Sequence, residues 1–434
     1  MSNIKSYTTG DGKSNVTPSA YEINSCTLTS NSGKEYSIKD LLGTVEVVES
    51  LGQETIDVKL GIVDGIQFLE SAIISGNERI KLKITHKSFD GQKKYDMSLR
   101  IAEITEYVRL KPGIVTYFFN CFSEHMYNNA IKKLVRPFEG SIGSIIEKIV
   151  KKDLKCQRIG TMNTETKGIL KGIFPRLEPI EAINWLNRNA YDNQTPFYFT
   201  DTLAKGIIYD SYKNLCDAEI HREYIMMSTF LNRPGSKEYY EEMQKNVKRL
   251  TSTMDMAPLV NLDEGAYAST MHTLDYSDKS FNTFFYDYDS VSPKKLNKNK
   301  PFSDKAEVDG IPFTQTRDSM HHHISLNKNS FEGEFGNYSS PVEPTMLNAE
   351  SIKSNMSTMG QTITVAGDYD ITPGKKITLT LPKSMGVDAT GTKDKFITGN
   401  YIITKISHSF REEYDMTLEL KKDSSLLDMN GESA

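Results

Sequence analysis

Polar and apolar residues alternate in two separate stretches of this chain, one near its beginning and one near its end. In the first, Ile23-Asn24-Ser25-Cys26-Thr27-Leu28-Thr29, Thr44-Val45-Glu46-Val47-Val48-Glu49 and Ile80-Lys81-Leu82-Lys83-Ile84-Thr85 read as strands with one buried and one wet face. Gly65 to Leu69 is a short apolar piece, Asp90-Gly91 and Lys111-Pro112-Gly113 are turns, and Met97–Val108 and Ile114–Phe119 are longer strands. In the last stretch, Gln361–Val365, Ile377–Leu381, Asn400–Phe410 and Tyr414–Leu420 carry the same period of two.

Between them the period changes. Ile142, Ile145, Ile146, Ile149 and Val150 form one helical stripe, with Ser141 placed to cap it. A second helix begins at Pro179 and carries Ile180, Ile183, Trp185, Leu186 and Ala190; Trp185 is expected in the core. Phe197–Thr200 and Gly206–Asp210 are two short strands. Helical stretches are expected near Ile220–Leu231 and Lys237–Leu250, followed by a long irregular region.

The two alternating stretches match each other. In each, a short strand (IKLKIT; ITLTLP) precedes a long strand (MSLRIAEITEYV; YIITKISHSF), a tight turn (RLKPG; REE) and a closing strand (IVTYFFNCFS; YDMTLELKKDS). This is read as one β-domain present twice. The match of Tyr95-Asp96-Met97-Ser98-Leu99 with Tyr414-Asp415-Met416-Thr417-Leu418, which differ only at Ser98 and Thr417, falls outside that register and reads as coincidence. Three chains in a ring then offer six near-equivalent positions, able to meet a sixfold partner on one side and a threefold partner on the other. Free strand edges would be paired between subunits.

The resulting fold class is α+β. Two similar β-barrel-like tube domains (21–125 and 356–422) flank an α/β domain (126–212), with a helical and irregular insertion over 213–355, part of which returns to the second tube. Residues 1–20 read as a disordered arm and 423–434 as a polar tail.

Composition narrows the function. The formal net charge is −5, against the clustered cations that grip a nucleic-acid backbone. Cys26, Cys121, Cys156 and Cys216 are far apart and read as reduced, mostly buried thiols. No apolar run is long enough to span a bilayer, and the N-terminal residues lack a signal-peptide core, which disfavours a cell-surface adhesin.

Candidate chemistry is sparse. His321-His322-His323 is a possible metal site, but adjacent side chains diverge and no further ligand is assignable, so a polar loop is the expectation. Glu46 with Glu49, and Glu412 with Glu413, read as solvated surface carboxylates. The basic run Lys294–Lys300 reads as a solvated loop. No catalytic, cofactor-binding or metal residue is assigned; the competing reading is a metal-dependent hydrolase using His321–His323.

Several segments carry a family resemblance. They are Gly65-Ile66-Gln67-Phe68-Leu69-Glu70-Ser71, Ser75-Gly76-Asn77-Glu78 leading into Ile80–Ile84, Arg136-Pro137-Phe138-Glu139-Gly140-Ser141-Ile142, Pro179–Leu186, Gly367-Asp368-Tyr369-Asp370-Ile371-Thr372-Pro373-Gly374-Lys375-Lys376-Ile377 and Asn400–His408. In this order they resemble the baseplate hub of T-even-type contractile bacteriophages, related to the hub portions of late control protein D and VgrG spike proteins. The resemblance covers about 21–424 and departs from the family near 250–350. It implies a homotrimeric, non-enzymatic ring in the virion tail, assembled in the host cytoplasm. That ring would lie between the hexameric tail tube and the trimeric central spike, near baseplate wedge proteins and the tape measure protein. DNA would pass its lumen without specific binding, and the chain would not insert into a membrane. Another baseplate or tube-initiator protein is the weaker form of the same reading.

Overall fold

The computed structural model describes Tyr7–Thr8, Ser14–Asn15 and residues 17–429, leaving aside 89–90, 167, 189, 191–194, 228–229, 235, 255–257, 277–278, 292–294, 327–341, 358 and 383–393. The turn expected at Asp90-Gly91 thus lies partly outside the described residues.

Twelve strands carry the argument. The first six are β1 (Tyr21–Thr29), β2 (Leu42–Ser50), β3 (Asp57–Asp64), β4 (Arg79–Ser88), β5 (Gly91–Lys111) and β6 (Ile114–Ser123). The second six are β7 (Glu223–Ile225), β8 (Arg249–Met254), β9 (Met359–Ala366), β10 (Lys376–Thr380), β11 (Gly399–Phe410) and β12 (Tyr414–Lys422). In space the first set runs β1-β4-β5-β6-β3-β2 and the second β7-β10-β11-β12-β9-β8. These are the same order, strand for strand. Every neighbouring pair is antiparallel except β7–β10, which is parallel.

A shared irregularity fixes the register of the repeat. β5 bulges between Ile101 and Glu103, and β11 bulges between Ile403 and Lys405, each against its closing strand. A bulge inserts one residue and bends the strand, so it is a built feature of a sheet. Superposing the bulges sets Ala102 on Thr404. It also sets Ile80 on Ile377, through their partners Leu99 and Tyr401.

The expected pair of separate barrel-like domains is corrected in one respect. β11 pairs antiparallel with β2, from Lys405↔Ser50 to Phe410↔Val45, so both sets belong to one 13-stranded sheet. The pairings among the described strands run as an open path with no closed barrel. One core spans both sets, with Val45, Val47, Leu82, Ile84, Tyr95, Phe119, Ile363, Ile406, Phe410 and Leu418 all buried. Burying each such aliphatic side chain stabilises by roughly 1.5–3 kcal/mol.

Residues 134–209 hold a second core. Helix α1 (Ile142–Lys152) buries Ile142, Ile145, Ile146, Ile149 and Val150, the stripe the spacing predicted, and the Ser141 side chain caps it by accepting from Ser144 N–H. Helix α2 (Pro179–Asn187) has Pro at its first turn and buries Ile180, Ala182, Ile183 and Leu186. Trp185 is not in that core. It lies about 200° round the helix from Ile183 and is 36% exposed, touching Phe138 edge-on at 5.9 Å.

Further differences concern the ends, the insertion and one short piece of the first half. Residues 220–231 hold β7 rather than a helix, whereas Lys237–Lys245 is helical. The Gly65–Leu69 piece leads into a short helix, Phe68–Ala72. The described part of the insertion between β8 and β9 builds a sheet: Ala268–Asp275 pairs with Ser280–Asp287 and with His321–Leu326, and helix α3 (Val342–Ser357) packs on it. Its aromatic-dotted text builds a core of Tyr267, Met271, Tyr286, Tyr288 and Phe302. The polar residues after Lys422 are also not a free tail at first. Asp423, Ser424 and Ser425 are buried, because Leu296 N–H donates to Asp423 (3.0 Å), Asn297 N–H to Ser424 Oγ (2.7 Å), and Asn299 and Ser425 exchange backbone bonds. The run expected as a solvated basic loop is thus pinned to the chain end, and Lys300 pairs with Asp289 and with Asp304 at 2.7 Å. Lys294 lies outside the described residues. In the N-terminal arm, Tyr7–Thr8 pairs with Ser14–Asn15.

Candidate functional site: the seam between the two strand sets and its open counterparts

The seam is the place where β2 meets β11, and a buried polar chain runs through it. On β2, Glu49 shares the inward parity of Val45 and Val47; on β11, His408 shares that of Ile406 and Phe410. Glu49 is 0% exposed and His408 1%, so the surface carboxylate expected at Glu49 is a core residue. His408 Nε2 lies 3.0 Å from Glu49 Oε1, and His408 Nδ1 lies 2.9 Å from the Tyr414 hydroxyl. The Tyr95 and Tyr414 hydroxyls are 2.8 Å apart, and Leu203 N–H donates to Glu49 Oε2 at 2.6 Å. With the histidine proton on Nε2, every donor has an acceptor: Tyr95 to Tyr414, Tyr414 to His408, His408 to Glu49. A buried carboxylate needs such partners.

The two pentapeptides out of register with the repeat, alike at four of five positions, contribute the two tyrosines of this chain. Burial drives both hydroxyls well above the usual tyrosine range. Gly367 sits where a Cβ would be 2.0 Å from the Tyr414 ring, so only glycine fits there.

Other polar contacts lie within the second half or link the two halves. Asp368 takes His221 Nε2 at 2.9 Å and Arg222 at 3.1 Å. Burial raises its carboxyl, but the His221 bond and the Arg222 charge outweigh burial and hold it well below the usual range. Lys93 pairs with Asp370, Tyr369 donates to Lys94 O at 2.9 Å, and Arg411 pairs with Glu46. Of the four carboxylates proposed from sequence, Glu412 and Glu413 are exposed, Glu46 is in this surface pair, and Glu49 is buried.

The pseudo-repeat has two positions that this seam leaves unused. The stretch of β5 after the bulge pairs with β6 on one side, and its other edge has no strand partner among the described residues. Its equivalent in β11 is the stretch that pairs with β2. β8, the equivalent of β2, is the last strand of the sheet, with its outer edge likewise open among the described residues. Ile104, Tyr107, Val108 and Leu110 stand exposed on the open stretch, at 37%, 54%, 49% and 60%.

Two other places were tested for chemistry. A cleft of about 860 Å³ lies beside β4 and β5 and is lined by Arg79, Lys83, Arg100, Cys156 and Arg158. Its cations are largely committed: Arg79 and Arg100 to Glu124 (2.5 and 3.1 Å), Lys83 to Asp96 (3.4 Å), and Arg158 to the Leu203 carbonyl (2.7 Å). Burial pushes the Cys156 thiol up to about 12, so it is a poor nucleophile. None of the four cysteines is in a disulfide, and Cys26, Cys121 and Cys216 are buried.

The histidines form a surface group that spacing alone missed. His321 and His323 share one face of their strand and stack on His272 of the neighbouring strand, at 5.5 and 5.0 Å between ring centres. The divergence of adjacent side chains holds only for His322; the alternation of a strand could have paired His321 with His323, but His272 needed the tertiary register. The rings are within 12° and 23° of parallel, and His321 Nδ1 lies 3.4 Å from His272 Nε2, within hydrogen-bond reach. Among the described residues, no three His, Cys, Asp or Glu side chains are arranged to hold a metal ion. No helix among them is long and apolar enough to cross a membrane.

No family model and no curated protein matches this sequence. Solved structures do. A tail protein from Neisseria meningitidis superposes with a TM-score of 0.52 at 10% identity, over 95% of this chain and 99% of that one. A 43 kDa tail protein of prophage MuSo2 from Shewanella oneidensis gives 0.49 at 10% identity, over 92% and 99%. An E. coli component of the type VI secretion system gives 0.41 at 10% identity, over 94% and 78%. The chain therefore shares its overall fold with the Neisseria meningitidis tail protein.

Proposed function

We propose that this chain is a structural subunit of a bacteriophage tail baseplate: a hub that closes as a homotrimeric ring between the sixfold tail tube and the threefold central spike. The observation that carries this reading is the repeated strand order with its shared bulge, in one continuous sheet. Three chains bring six such strand sets around an axis, so one face of the ring matches a hexamer and the three insertions give the other parts threefold character. The tail tube and spike proteins are the axial partners, with wedge proteins at the periphery and the tape measure protein within reach of the lumen. The net charge of −5 suits a passage that DNA traverses without being held. No catalytic step is assigned to the chain.

The test is the particle itself. Light scattering is expected to give three times the mass of the chain, and electron microscopy a threefold ring with six-like density on one face. A protein that stays monomeric at every concentration, with no ring in the images, overturns the proposal.

A further inference from the structure

The sheet contains its own model for how one copy meets the next. The β2–β11 seam joins the first strand set to the second within a chain, and each set has the same six strands in the same order. The elements that would make the reverse joint, second set to first, are both present, and neither has a strand partner among the described residues: the outer edge of β8 and the far stretch of β5. Within the chain they do not pair with each other: β8 is one end of the sheet's path, and β5 lies inside it between β4 and β6.

We infer that the outer edge of β8 pairs antiparallel with the stretch of β5 after its bulge in a second copy of this chain, repeating between subunits the β2–β11 joint found within one. This rests on the ring reading above and names the surface that closes it.

The register follows from the repeat. Val108 lies opposite Thr116 of β6, whose equivalent in β12 is Asp415; Asp415 lies opposite Ser409 of β11, and Ser409 opposite Glu46 of β2. Glu46 pairs with Lys59, and the equivalent of Lys59 is Thr362, which pairs with Thr251 of β8. The inferred joint therefore places Val108 opposite the second copy's Thr251, and Arg109 opposite its Leu250.

Two physical features support this occupant over others. An open edge with Ile104, Tyr107, Val108 and Leu110 exposed is a template for strand addition, and a chain that leaves it uncovered invites uncontrolled association. The joint is also head-to-tail, since β5 of one copy meets β8 of the next. Such a contact makes a closed ring when the rotation divides a full turn. The two joints differ in chemistry. The positions equivalent to Tyr414 and Tyr95 of the internal seam are Val115 and Ile397, so the buried polar chain has no counterpart there. The joint between copies is held by ladder hydrogen bonds and apolar contact alone.

The experiment uses the full chain carrying Val108→Cys and Thr251→Cys. Directly opposed residues of an antiparallel pair are about 4.5–5.5 Å apart at Cα, within disulfide reach. Oxidation is expected to link most chains into covalent dimers and trimers on a non-reducing gel, with neither single variant nor the unaltered chain doing so. As an independent arm, Ile104→Lys with Val108→Lys alters only exposed side chains. It is expected to keep the melting temperature of the isolated chain and weaken assembly about 100-fold. If the unaltered chain forms a threefold ring, yet the paired cysteines do not link and the lysine variant still assembles, the strand joint is wrong and the ring reading stands. If no closed oligomer forms at all, both fall together.

Discussion

β5 and β11 occupy the same place in the two halves of the sheet, with the same bulge, yet their outer edges meet different fates. β11 is covered by β2, and the cover is locked by a buried carboxylate, a histidine and two tyrosines. β5 carries exposed Ile104, Tyr107 and Val108 at the corresponding stretch, with no lock. A joint within one chain forms once, on folding, and can hold polar groups that only complete packing satisfies. A joint between chains must also exist unpaired, so burying an uncompensated Glu49 there would cost several kcal/mol in the free subunit. The difference marks which joint is permanent.

The largest effect that would break this contrast is on the internal lock. His408→Leu leaves Glu49 buried with only the Leu203 amide, and is expected to destabilise by about 3–5 kcal/mol in chemical denaturation. The double change Glu49→Leu with His408→Leu should recover much of the loss. A single variant within 1 kcal/mol of the unaltered chain would show that the network is not a lock.

Next is Lys422, which the bulge alignment sets on Ser123 of the first half. It is 1% exposed, donates to the Phe396 carbonyl at 2.7 Å, and burial pulls its pKa from 10.5 down to about 8. The folded chain then sheds this proton near pH 8 while the unfolded chain keeps it to 10.5. Between those values the unfolded state binds more protons, so stability rises with pH; below 8 the penalty is complete. The rise is about 3 kcal/mol at most. Lys422→Met is expected to remove it, and denaturation curves across that window that keep the same slope would refute the account.

Gly367→Ala should cost about 1–3 kcal/mol, since its Cβ meets the Tyr414 ring and the seam must shift. A thermal melt reads it, and an unchanged melt would mean the ring moves freely. The smallest effect belongs to Glu412→Ala with Glu413→Ala on the exposed β11–β12 turn, expected within about 0.5 kcal/mol of the unaltered chain by the same melt. A larger loss would place part of the lock on the surface.

Much of the fold was legible because each strand's alternation is local. Ile80–Thr85, Ile377–Leu381 and the α1 stripe show their buried faces in the sequence itself. Glu49 was legible in part, since it shares parity with Val45 and Val47, but a carboxylate on an inward face has meaning only once His408, far along the chain, is placed beside it. Trp185 was misplaced because one turn of helix decides its side, and the core took Ile183 and Leu186 instead. The insertion was unreadable because its sheet pairs strands across long loops: His272 meets His323, and Asn299 meets Ser425, by tertiary register alone.

The sequence by itself determined most of the longer strands of the two alternating stretches, the α1 and α2 helices and the fact of a repeat, because side-chain period and turn chemistry act over a few residues. Only the tertiary structure decided that the two halves share one sheet, that Glu49 is buried at their seam, and that β5 and β8 each have an edge without a strand partner among the described residues. Those outcomes depend on which edge reaches which, and a strand's edge consists of backbone groups that are the same for nearly every residue.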